Sequence, residues 1–117
     1  MNIVDNQELI NLRDDAIDGM IGYLSFEDAT YTRDDVEECK NILEEHLVML
    51  SRARNNATAT ECVKETVQRL NDLNSKVGGE LIQSDQRGEI SEYMCKAGAM
   101  LGFNKEYEDV TEKWREW

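Results

Sequence analysis

Proline is absent from the 117 residues. A chain without this obligate breaker suits long helices joined by short turns better than a loop-rich β fold. Cysteine is sparse and odd in number, with Cys39, Cys62 and Cys95 far apart. That spacing argues against a disulfide framework or zinc ribbon and predicts three free thiols in a reducing compartment. Histidine occurs once, at His46. The positions three and four residues away hold Ile42, Leu43, Met49 and Leu50, so the Glu-x-x-His pattern of di-iron bundles is missing. There is no His-Glu-x-x-His, no Cys-x-x-Cys and no Gly-rich phosphate loop. These absences predict no enzyme, no bound metal and no cofactor. No apolar run has the length of a membrane span. The first residues, Met1-Asn2-Ile3-Val4-Asp5, lack the basic and apolar regions of a secretory signal, so the expected location is cytoplasmic.

Positive charge is the other deficit. Thirteen Lys and Arg face 25 Asp and Glu, for a net charge of −12. That field repels phosphate backbones and anionic membranes and attracts basic protein surfaces. An acidic surface also serves solubility alone. Hydrophobic residues make up 40% of the chain, enough for one folded domain across 1–117 with a real core.

The periodicity predicts an all-α fold: a compact bundle of four main helices plus a C-terminal helical segment. Leu9, Leu12, Ala16, Ile17, Met20 and Leu24 recur at helical spacing from about Asn6 to Tyr23. Asp14, Asp15 and Asp18 lie off that stripe, and Gly19 and Gly22 weaken its last turns. The connection Ser25–Thr32 is expected to dock through Phe26 and Tyr31, with a short helical turn after Ser25. Thr32 is a good cap for a second helix running to about Arg54, with Val36, Cys39, Leu43, His46 and Leu50 on one seam. His46 reads as a residue at the core edge. Thr58 and Glu61 have capping-box spacing for a third helix. Val63, Val67, Leu70, Leu73 and Val77 form its stripe. Its three acids balance three bases, which predicts a central position.

The stretch from Leu70 to Arg87 organises the chain. Asn74 lies on the inward side, either tying the helix to a neighbouring backbone or exposed at a fraying end. Gly78-Gly79 stops the helix. Leu81 and Ile82 plug the connection into the core. Ser84 is the expected cap of a fourth helix with Ile90, Tyr93, Met94, Ala97 and Leu101 on its stripe. Gly88 loosens its first turn, and Gly98 suggests close approach of another helix. In the final segment Trp114 and Trp117 either pack on the helices or await a partner.

Acidic residues are the candidates for a binding role. Asp34, Asp35, Glu38 and Glu45 form the densest run on one long helix, and Asp14, Asp15 and Asp18 are the second choice. Carboxylates spaced along a helix can meet a basic cleft or imitate a phosphate backbone. The bland reading of the same residues is a solvated face.

Three motifs add a resemblance: Leu70-Asn71-x-Leu73-Asn74, Leu81-Ile82-x-Ser84-Asp85-Gln86-Arg87-x-x-Ile90, and Asp109-Val110-Thr111-Glu112-x-Trp114-Arg115-Glu116-Trp117. Over roughly residues 60–117 the chain resembles short, acidic, all-helical bacterial proteins. Some of these are similar to immunity proteins of contact-dependent inhibition and polymorphic toxin systems. The resemblance implies an inhibitor of a cognate toxin domain, often a nuclease with a basic cleft. It assigns no contact residues. Two other classes fit the same composition: an acidic helical adaptor or regulatory module, and a nucleic-acid mimic that blocks a DNA-binding enzyme.

Overall fold

The computed structural model describes residues 2–26 and 28–117. Four helices span Gln7–Tyr23 (α1), Arg33–Ser51 (α2), Asn56–Lys76 (α3) and Ser84–Met100 (α4), with no strand among the described residues. No helix is long and apolar enough to cross a membrane. Glu8 of α1 meets Lys96 of α4, while Gly19 meets Gln86, so these two helices run antiparallel. Glu45 meets Arg69 and Asp35 meets Lys76, so α2 and α3 do the same.

The caps are local chemistry. Asn6 caps α1 through the Leu9 N–H. Thr32 and Asp35 close a reciprocal box on α2. The cap of α3 is Asn55, not Thr58: Asn55 Oδ1 accepts from Thr58 N at 2.9 Å. Thr58 then acts as the third helical residue and returns the bond through its hydroxyl, which accepts from Asn55 N. Ser84 is likewise not a cap. It is the exposed first residue of α4, and Gln86 Oε1 accepts the N–H of Gln83, one residue before it. Ser25 turns its hydroxyl back to the Gly22 carbonyl, and the turn expected after it runs through Glu27, outside the described residues.

The core takes the apolar stripes of all four helices, with Ile3 and Tyr31 from the connections. Tyr31 anchors its connection as expected, donating its hydroxyl to the Met20 carbonyl at 2.6 Å. Phe26 does not: it is 64% exposed, since the buried Tyr31 ring anchors the connection and leaves Phe26 leaning on Tyr23. His46 lies in the centre of the core, not at its edge, bonded through Nδ1 to Thr66 Oγ1 at 2.7 Å. Burial pulls its pKa down to about 4.

The Leu70–Arg87 stretch works as a joint. Gly78 and Gly79, both with positive φ, end α3 by donating to the Ser75 and Asn74 carbonyls, a Schellman arrangement. The Asn74 side chain is buried, and its Oδ1 accepts from both Leu81 N and Ile82 N at 3.0 Å. Two donors that would otherwise be orphaned in the core are satisfied by one side chain. Leu81 and Ile82 are buried.

The helix order departs from the balanced-charge expectation. α2, not α3, touches all three other helices, and α1 lies between α2 and α4. The backbones of α3 and α4 scarcely approach each other. Residues 101–117 fill the gap between them, and they hold no α-helix. Gly102, at φ +80°, turns the chain. Asn104 then lies over Gly98, where a Cβ would clash, so the close approach at Gly98 is to a side chain rather than a helix. A single turn forms at Thr111, whose carbonyl accepts from Trp114 N and Arg115 N. It stops because Asn71 of α3 takes over the next backbone groups. Its Nδ2 donates to the Trp114 carbonyl at 2.9 Å and its Oδ1 accepts from Glu116 N at 3.0 Å. Trp114 and Trp117 are half-buried against the core.

Candidate interaction surface

Helix pairing divides the acidic candidates between several faces. On α2, three of the four favoured residues turn toward α3 and meet cations there. Glu45 lies 2.7 Å from Arg69. Asp35 lies 3.5 Å and Glu38 4.0 Å from Lys76. Asp35 is also the capping carboxylate of its own helix. The Thr32 backbone N–H holds its pKa below the usual carboxylate value, with Lys76 adding to the effect. Asp34 alone of the four is exposed with no ion-pair partner among the described residues.

The α1 candidates fare differently. Asp14 leans on Arg13 at 3.4 Å and, with Asp18, lines a groove against α2 that also holds Glu37, Arg33 and Lys40. Asp15 faces the other way, toward α4, where Glu89 and Asp85 stand. Burial raises the pKa of Glu89, and the charges of Asp15 and Asp85 raise it further. Glu89 thus lies within reach of both negative charges. Further along the same seam Lys96 is shared between Glu8 at 2.8 Å and Glu92 at 3.8 Å. The hydrogen bond to Glu8 holds its proton more firmly, with Glu92 and Glu106 adding charge. Among the described residues Lys96 is the cation in ion pairs along the α1/α4 seam, where Glu8, Asp15, Asp85, Glu89 and Glu92 stand.

Asp85, Glu89 and Glu92 stand at i, i+4 and i+7 along α4, a spacing that puts them on one helix face. They become one surface with Asp15 only when α1 and α4 pair antiparallel. The small residue that permits the pairing, Gly19, was visible: the Gln86 side chain crosses α1 where a Cβ would stand.

Among the described residues no group of three or more His, Cys, Asp or Glu side chains is placed to hold a metal ion. His46 of α2 is fully buried and bonded to Thr66 of α3. The three cysteines are free, and burial pushes the Cys39 thiol up to about 12. No family model matches the chain, and no curated protein or solved structure is found to be similar to it.

Proposed function

We propose that the protein is an immunity-type inhibitor that binds a cognate toxin domain, a nuclease, in the cytoplasm and occludes its basic cleft. The observation that carries this reading is the α1/α4 seam. Glu89 lies there within reach of the charges of Asp15 and Asp85, and none of the three is in an ion pair among the described residues. Such an arrangement costs stability in the free protein and is relieved when basic groups arrive. The α2 carboxylates contribute less to the contact than their density suggests, because Arg69 and Lys76 already meet them.

The mechanism is steering followed by occlusion. Unscreened carboxylates draw a basic partner over a distance of about 10 Å at 0.1 M salt. Desolvated short-range contacts then hold it. The gene directly upstream is the place to look for the test partner, and a toxin domain encoded there is the one to use. Co-expression with the wild-type protein should protect cells, and the association rate should fall steeply as salt rises. Reversing Asp15 and Glu89 to Lys should slow association while leaving helicity intact. Cells left unprotected by the wild-type protein would rule the immunity reading out. Protection with a salt-independent association rate would remove the electrostatic mechanism alone.

A further inference from the structure

Three large apolar side chains are exposed among the described residues. Tyr23 and Phe26 cover one another, with ring centroids 6.1 Å apart. Tyr107 covers nothing and is 93% exposed. It sits at the tip of a turn in which Glu108 N donates to the Lys105 carbonyl at 3.2 Å and Glu108 Oε1 accepts from Lys105 N at 3.3 Å.

The backbone of that turn is pinned from beneath. Cys95 Sγ donates to the Glu106 carbonyl at 2.8 Å. Asn104 Nδ2 donates to the Lys105 carbonyl at 2.8 Å and the Cys95 carbonyl at 3.0 Å. Asn104 is itself lodged over Gly98. A fixed turn thus presents an aromatic ring with no intramolecular work for it. Beside the ring lies a recess of about 270 Å³ lined by Tyr107, Cys95, Lys96 and four acids, Glu92, Glu106, Glu108 and Asp109; the Lys96 ammonium is itself held by Glu8 and Glu92. Some of these carboxylates are engaged: Asp109 accepts from Thr111 and meets Arg115, and Glu92 meets Lys96. Glu106 has no ion-pair partner among the described residues.

We infer that this recess receives an arginine or lysine side chain of a protein partner, with the Tyr107 ring as one wall and Glu106 as its counter-ion. An aromatic face beside carboxylates suits a cationic head with an aliphatic stem. The recess adjoins the α1/α4 seam through Glu92 and Lys96, so one basic partner can span both. A second copy of this chain, at −12, is electrostatically disfavoured as the occupant. The site deepens the toxin reading and rests on it for the partner's identity, but its chemistry can be probed alone.

Two measurements test it. In the first, acetyl-arginine amide is titrated into the ¹⁵N-labelled protein, with acetyl-glutamine amide as the control. Saturable shifts should cluster at Glu92, Cys95, Glu106 and Tyr107, and should vanish in Tyr107→Ala while Tyr107→Phe retains them. Shifts that scatter over the acidic surface, or match those of the glutamine control, overturn the proposal. In the second, dissociation from the upstream-encoded toxin domain is measured. Tyr107→Ala and Glu106→Lys should each speed it about tenfold or more, with melting temperature unchanged. Dissociation within about threefold of wild type for both variants removes the recess from the interface and overturns the proposal. A wild-type protein that binds no toxin sinks the toxin reading, and the arginine titration then decides the site by itself.

Discussion

The α2/α3 and α1/α4 seams have the same acid-rich composition and opposite electrostatics. Along α2/α3, Glu45 is met by Arg69, and Asp35 and Glu38 by Lys76. Along α1/α4, Asp15 and Asp85 stand against Glu89, and Lys96 is the only cation paired there among the described residues. The densest acidic run on one helix is thus the better neutralised one. Charge available to a partner depends on what the neighbouring helix presents, and that is a property of pairing.

The largest effect expected concerns the joint on which both seams hang. Leu81 is fully buried, and Leu81→Ala should cost about 2–5 kcal/mol. Chemical denaturation followed by both tryptophan fluorescence and helicity checks it. Coincident transitions would mean the seams melt as one unit, and separated ones would mean each is stable by itself. A midpoint unchanged by the substitution would show Leu81 to be dispensable.

Acid comes next, and it should act on the two seams with opposite sign. His46, between α2 and α3, is held neutral by burial with a pKa of about 4 against 6.5 when unfolded. The unfolded chain binds the proton first, so stability present above pH 6.5 declines as pH falls and is lost by about pH 4. The loss should approach about 3 kcal/mol. His46→Leu should flatten that window. Glu89 has a raised pKa, so its folded form takes up a proton first and the repulsion is relieved as pH falls. Stability measured from pH 7 to 4 in wild type, His46→Leu and Glu89→Gln separates the two contributions. A wild-type profile that is flat from pH 6.5 to 4 and unaltered by His46→Leu would contradict the assignment to His46.

Neutralising single acids should produce smaller changes of opposite direction. Glu89→Gln should stabilise the free protein by about 0.5 kcal/mol at pH 7, as loss of like-charge repulsion does on helices. Glu45→Gln, which breaks the pair with Arg69, should destabilise it by about 0.5 kcal/mol. Equal signs at the two positions would erase the distinction between the seams. The smallest effect should come from the thiols: all three should titrate in denatured, unreduced protein, and chelator should leave the melting temperature in place.

Helix existence and most of the core were readable because the apolar stripes have helical period. Val63, Val67, Leu70, Leu73 and Val77 are all buried as their spacing requires. Cap positions were less readable. Asn55 and Thr58 are both good caps, and the register between them depends on where α2 ends. The central place given to α3 misjudged how its apolar side is covered. A helix with balanced charge can be enclosed by irregular chain as well as by helices, and residues 101–117 do that here. The missing C-terminal helix has the same origin. Asn71 supplies the acceptor and donor that a helix would have drawn from its own backbone. The acidic surface was least readable of all: Asp85 and Glu89 are neighbours on one face of α4, but Asp15 lies far away in sequence on α1 and joins them only through pairing.

The gap between α3 and α4 bears on the order in which the molecule assembles. Helical turns and the Asn74 joint link residues within eight positions of each other. The bonds from Asn71 to Trp114 and Glu116 span 43 and 45 positions. Such distant closures pay loop entropy before they return any contact, so they belong late in folding. Until they form, the facing sides of α3 and α4 remain open to water and to other chains. The half-buried Trp114 thus becomes a built-in optical marker of this late closure, reporting it after helicity has already developed.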